Sequence, residues 1–373
     1  MNATQTSHFP RGFLPPNDPV PALSVTFAAW EEIGRALPKL LVAGRALTTL
    51  DELPVLPAES LGDAELERAM GLLSFMGHAA VWEDWKAGQG PRVPRGVAVP
   101  WTHVAARVGR PPALAYPSHV LHNWRRLDPT QPIGIGNLAV LQNFYGGLDE
   151  DWFIHIHIDI EAKAIPAVHA TEVARDAAES GDRDTLLSCL RDVAGAQSRI
   201  HETLCRIPER CDPFIFFNRI QPFFHGFKEV LYEGVGSEAG ERRTFLGGSA
   251  AQSVFTPLVD ALLGISHAED ALISYLRELR VYMPSLHRAF LEEVERTSAV
   301  RRVVTSSRDA ALVSAYNECI EWVRRFREEH IEVAAVYIQR QAKKRQGEIG
   351  TGGTPYMQYL KKHLDETAAH RIA

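Results

Sequence analysis

The sequence predicts an all-α fold in two domains. Three observations predict it. First, apolar residues recur at steps of four and three along Asp309 to Arg345: Leu312, Tyr316, Cys319, Val323, Phe326, then Val333 and Tyr337. This is the stripe of one buried helix face. Second, reading the whole chain for such spacing finds about a dozen helical stretches and at most one credible strand. Third, 373 residues with 45% hydrophobic and 23% charged content describe an ordinary globular chain, long for a single core.

The elements follow in order. Prolines 10, 15, 16, 19 and 21 make residues 1–25 an extended arm. Phe27 to Leu41 reads as a helix broken near Pro38, residues 51–60 as a linker, and Leu61 to Trp85 as a strong helix. Glycines and prolines make 87–100 a loop. Two short helices follow, Trp101 to Val108 and Tyr116 to Trp124. Asp128, Pro129, Pro132, Gly134, Gly136, Gly146 and Gly147 then mark a composition change. It places the small domain at 1–148 and the large one at 149–373.

The next segment, DWFIHIHIDIEAKAIPAV, alternates Trp152, Ile154, Ile156, Ile158 and Ile160 with Phe153, His155, His157 and Asp159. A period of two says strand. Read as a helix, the same residues stack Phe153, His157 and Glu161 at four-residue steps. Residues 167–207 read as a helical hairpin turning at Ser180 to Asp184. The run PFIFFNRIQPFFHGF concentrates aromatic residues, as core or as a pocket for a flat ligand. GGSAAQS at 247–253 is small enough for close backbone approach to a bound group. Asp260 to Ile265 and Ala268 to Val281 are helical, residues 339–354 read as a mobile loop, and a last helix spans Tyr356 to Thr367.

A net charge of −6 argues against nucleic acid or an anionic membrane as partner. No apolar run approaches the ~20 residues of a membrane span, and the polar, proline-rich start lacks signal-peptide character. A cytoplasmic enzyme is the expectation. Cys189, Cys205, Cys211 and Cys319 form no CxxC pair and read as reduced thiols. GTGGT at 350–354 lacks the lysine of a phosphate loop but suits a flap over a site. His155 and His157, or His119 and His122, have no carboxylate at zinc-ligand spacing.

His330 lies in the buried stripe, four residues after Phe326 and three before Val333. Two readings stand: a core histidine bonded to a backbone carbonyl, or an axial haem ligand with Arg327, one turn away, for a propionate. Spacing does not choose between them.

Seven strings resemble the indoleamine 2,3-dioxygenase family of haem proteins: SFMGHAAVWED (74–84), RVPRGVAVPW (92–101), LAYPSHVLHNW (114–124), GGSAAQS (247–253), RVYMPSLHRAFL (280–291), FREEHIEVAAVYI (326–338) and GTGGTPYMQYLK (350–361). They occur in the family's order. The resemblance implies a small N-terminal helical domain over a larger helical domain that holds haem b, and it turns 151–165 into a helix. It implies His330 as the iron ligand, Arg327 at a propionate, and Gly248, Ser249 and Ala250 close to the haem edge. Pocket positions fall on Tyr116, His119, Val120, Phe153, Ile154, His157, Phe216 and Phe224, with Thr351 in the closing loop.

The implied reaction uses O2 to open the indole C2–C3 bond, with His157 at the indole N–H and an electron donor keeping iron ferrous. Monomer and homo-oligomer are both compatible with it. One departure bears on substrate. Family members that oxidise tryptophan carry an arginine for its carboxylate where this chain has Gln221, and a glutamine cannot make the charged bidentate pair. The alternatives are therefore an enzyme of another indole, by dioxygenation or mono-oxygenation, and a haem gas sensor without turnover.

Overall fold

In the computed structural model, residues 8–88, 90–343 and 356–373 are described. The principal helices are α1 (Ala28–Ala43), α2 (Leu66–Lys86), α3 (Arg95–Val108), α4 (Leu148–Ser180), α5 (Arg183–Leu204), α6 (Phe255–Leu263), α7 (Ser285–Thr297), α8 (Ala310–Ala334) and α9 (Tyr356–Ala368). Shorter helical turns join them. The fold is helical, as the spacing predicts. No helix among the described residues is long and apolar enough to cross a membrane.

Helix α4 resolves the conflict over its period. Ile154 and Ile158 enter a small cluster with Val120 and Trp124, while Trp152, Ile156 and Ile160 enter the main core. The alternation is thus two interleaved four-residue stripes, buried on opposite sides of one helix. A third stripe, Phe153, His157 and Glu161, lies between them. Three acidic residues in the first turn, Asp149, Glu150 and Asp151, suit the positive end of the helix dipole. Gly181 in the left-handed conformation ends the helix, and Asp182 starts α5 by accepting from the Thr185 N–H at 3.2 Å. The turn lies where the hairpin is expected. Asp309 caps α8 in the same way, accepting from the N–H groups of Ala311 (2.8 Å) and Leu312 (3.1 Å).

Several expectations need correction. Pro38 does not break α1. A proline leaves the carbonyl four residues back unpaired, and here the Gly34 carbonyl accepts from Gln142 Nε2 at 2.9 Å instead. Gly34 is required at that approach, since a Cβ there would lie 2.5 Å from Leu72 and 2.7 Å from Gln142. Helix α3 starts at Arg95, inside the stretch read as loop, because Pro94 is tolerated at a helix entry. Residues 117–121 are a π-helix, and Trp124–Arg126 (β3) pairs antiparallel with Leu138–Val140 (β4). Residues 335–339 continue α8 as a π-helix and Arg340–Lys343 is helical, so the start of the expected loop is helix. The rest of that loop lies outside the described residues.

The chain also contains a small sheet that helix spacing does not reveal. Arg92–Val93 (β2) runs parallel to Phe227–Tyr232 (β5), which pairs antiparallel with Glu241–Phe245 (β6). Packing therefore crosses residue 148. Phe227, Val230 and Tyr232 share a core with Trp30, Met70 and Trp101, while Phe13, Phe75 and Phe144 enter the core built on α4, α5 and α8. The N-terminal arm is packed: it carries strand β1 (Pro10–Phe13), Phe13 and Leu14 are buried, and His169 donates to the Phe9 carbonyl at 2.8 Å.

Candidate active site

The third stripe of α4 faces a cluster of rings. Phe153 lies 4.4 Å from His157, 4.8 Å from Phe216 and 6.0 Å from Phe224, measured between ring centroids. His119 meets Phe224 edge-on at 4.7 Å and lies 6.1 Å from Phe153. Tyr116 lies 6.1 Å from His157, and Tyr337 meets Phe216 at 5.8 Å. Six of the expected residues are thus brought together from three segments remote in sequence, and Tyr337 joins them from a fourth. Val120 and Ile154 are buried in the small apolar cluster that also holds Tyr116.

His157 has a defined tautomer. Its Nδ1 lies 2.8 Å from the Phe153 carbonyl, which can only accept, so Nδ1 carries the proton and Nε2 keeps its lone pair. Burial brings its pKa down to about 4, with the charge of His330 acting in the same direction. The two imidazoles therefore sense each other across the site. His119 is lowered to about 3 by burial and by His157, and its Nε2 is buried without a hydrogen-bond partner.

Beneath these rings is a buried polar layer. Glu161 accepts from Tyr116 Oη at 2.9 Å and from Ser253 Oγ at 2.7 Å. Burial raises the Glu161 carboxyl, and it raises the Tyr116 phenol together with the neighbouring Glu161 charge. Gln252 fixes the glycine-serine turn: its Oε1 accepts from Tyr116 N–H at 2.9 Å, and its Nε2 donates to the Gly247 carbonyl at 3.0 Å. A Cβ on Gly247 would lie 2.0 Å from the Phe224 carbonyl, so protein packing alone demands that glycine. A Cβ on Gly248 would meet nothing nearer than the Leu114 carbonyl at 3.4 Å. Ser249 accepts from the Ala251 N–H at 3.2 Å and starts the turn Ala250–Gln252.

Helix α8 supplies the other side. His330 is half-buried and makes no hydrogen bond among the described residues, so the core-histidine reading lacks its carbonyl partner. Burial, and then Arg327, lower its pKa, which favours the neutral ring. Arg327 donates to Asp260 at 2.6 Å and to the Thr367 hydroxyl. Sequence reasoning missed both anchors, since Asp260 is remote and Thr367 lies in a helix with no distinguishing motif.

Three π-helices occur among the described residues, 117–121, 216–220 and 335–339. Each carries a residue of the ring cluster: His119, Phe216 and Tyr337. Such insertions commonly re-aim side chains at functional sites. Gln221 directly follows the second one and is 4% exposed; its backbone N–H donates to the Phe216 carbonyl, and its side chain makes no hydrogen bond among the described residues. Thr351 lies outside the described residues.

The model of the family described as "Indoleamine 2,3-dioxygenase" matches residues 8–370. The chain belongs to the indoleamine 2,3-dioxygenase family. Human indoleamine 2,3-dioxygenase 2 is 32% identical to it, over 95% of this chain and 92% of its own length. The 6-hydroxytryptophan 2,3-dioxygenase of Fusarium equiseti is 31% identical, over 88% and 82%. A myoglobin of Haliotis madaka is 28% identical, over 91% of each chain. Enzymes of the indoleamine 2,3-dioxygenase family are haem-dependent dioxygenases that use O2.

Proposed function

We propose that this chain is a haem b enzyme that opens the C2–C3 bond of an indole with O2. The observation that carries the reading is a pair of neutral imidazoles within electrostatic reach of each other, His157 with a free Nε2 lone pair and His330 with no hydrogen-bond partner for its ring among the described residues. The residues fit a haem. His330 offers an uncommitted nitrogen, and Arg327 is held one turn away by Asp260 and Thr367. Gly248 leaves room where a side chain would project, without protein packing requiring it. The haem, when bound, would supply the oxygen activation that side chains cannot.

The chain's own residues account for the rest. Phe153, Phe216 and Phe224 offer flat apolar faces to an indole ring and keep water from it. His157 Nε2 accepts the indole N–H and orients the ring. Glu161, Ser253 and Gln252 hold Tyr116 and the glycine-serine turn in place. An external electron donor maintains ferrous iron. Four free cysteines, three of them buried, suit a reducing cytoplasm.

The substrate is an indole whose recognition does not rest on a carboxylate-binding arginine at position 221. The resemblance to a 6-hydroxytryptophan enzyme supports a substituted indole, and the likeness to the Haliotis madaka myoglobin supports a second reading, oxygen binding without turnover. Product mass after incubating reduced, haem-loaded protein with labelled O2 and either tryptophan or 3-methylindole tests these readings. Two labelled oxygens in a ring-opened product are expected. One oxygen means mono-oxygenation, and a stable oxygen complex with no product from either indole favours the second reading.

A further inference from the structure

Helices α5 and α8 bring three metal-ligating side chains of different type together on the outer side of the molecule. His201 and Cys205 are four residues apart at the end of α5, so they share one helical face. The two ring nitrogens of His201 lie 3.8 and 3.9 Å from Cys205 Sγ. Glu329 reaches the same place from α8, and one ligand atom from each residue lies within 4.8 Å of the others. We propose that His201, Cys205 and Glu329 form a binding site for a thiophilic divalent cation of the zinc class.

The electrostatics favour a cation. Glu329 and Glu332 both act on the Cys205 thiol, and among the described residues neither carboxylate is in an ion pair. Burial and these two charges push the thiol up to about 11. A bound cation reverses that field, and the thiol proton passes to solvent as the metal–sulfur bond forms. Arg325, one turn before Glu329 on α8, is engaged elsewhere: it lies 4.9 Å over the Trp322 ring and pairs with Glu321 at 3.0 Å. Trp322 in turn backs His201 at 5.8 Å.

The chemistry and access also agree. Imidazole, thiolate and carboxylate are the ligand types zinc takes, at about 2.0–2.3 Å, and side-chain rotation closes the present separations. Cys205 is exposed while His201 and Glu329 are half-buried, which leaves one side open for water as a fourth ligand. A second cluster, His267, His363 and Glu366, is less suited. The Lys362 ammonium lies 3.6 Å from Glu366 and donates to Asp270, so a cation is already present there. The two histidine rings are stacked at 4.2 Å, which directs their lone pairs along parallel lines rather than at a common point.

Alkylation of the intact protein, with the modified peptides identified by mass, tests the site without any substitution. Cys205 is the exposed thiol and should react first; added Zn2+ should suppress that reaction and leave the protein with one tightly held ion in equilibrium dialysis. Cys205→Ser should remove that ion, and His201→Asn or Glu329→Gln should weaken its binding by about tenfold or more, as loss of even an outer-sphere partner does. Unchanged Cys205 alkylation in Zn2+, or the same stoichiometry and affinity in Cys205→Ser, would overturn the proposal. So would wild-type affinity in both His201→Asn and Glu329→Gln, because a thiol alone would then be the ligand.

Discussion

At the scale of single residues, function turns on which nitrogen and which charge each position offers. His330 has an uncommitted ring beside Arg327, so His330→Ala should purify with little haem while keeping its helical circular dichroism. Normal haem content with an unchanged absorption spectrum would refute the ligand assignment. His157→Leu keeps the apolar volume and removes the acceptor. Loss of one neutral hydrogen bond of about 0.5–1.5 kcal/mol should raise KM for indoles with a free N–H about two- to tenfold. The same variant should leave KM for an N-methylindole unchanged. Gln221→Arg adds a charged donor worth about 1.5–3 kcal/mol, so the preference for tryptophan over 3-methylindole should rise about ten- to over a hundredfold. A ratio of kcat/KM values that does not move would place the carboxylate elsewhere.

At the scale of elements, the site depends on departures from regular helix. Proline and π-turn irregularities place carbonyls and side chains where an unbroken α-helix would not. The carbonyl of Gly34, freed by Pro38, is satisfied by Gln142 Nε2 at 2.9 Å. Gln142→Leu should therefore leave a buried carbonyl unpaired and destabilise the protein by about 1–3 kcal/mol in urea unfolding. A loss below about 0.5 kcal/mol would mean that water reaches Gly34. The sheet of β2, β5 and β6 illustrates why short strands escape a reading of spacing. The register shifts between Phe227 and Val230, with Glu229 at φ +54°, so the buried residues do not alternate.

At the scale of the whole molecule, buried neutral histidines link the fold to pH. Burial lowers His78, His119 and His287 to about 3 and His157 to about 4. His78 is also committed at both nitrogens, donating to the Phe223 carbonyl at 2.7 Å and accepting from Leu114 N–H at 2.9 Å. In the unfolded chain these rings take up protons near the ordinary value of about 6.5, whereas the folded chain resists them. Their contribution is fully present above that pH and is lost as pH falls towards the folded values. The unfolding temperature should therefore drop progressively between about pH 6.5 and about pH 4. A flat profile over that range would show that these rings are solvated in the folded protein.

The sequence by itself determined the helical class, the long α8 stripe with His330 and Arg327 at one-turn spacing, and the strings that carry the family. These are local properties, set by helical periodicity and by residues near each other in the chain. The strings implied that α4 is a helix, and tertiary structure supplied the reason: both of its isoleucine stripes find cores on opposite sides, which a period-two pattern cannot show. It also decided that the rings of Tyr116, His119, Phe153, His157, Phe216 and Phe224 meet, and that Asp260 and Thr367 hold Arg327. The same long-range packing sets Glu329 beside His201 and Cys205. Each of these depends on which helix faces which, a relation between distant segments that no spacing within one segment encodes.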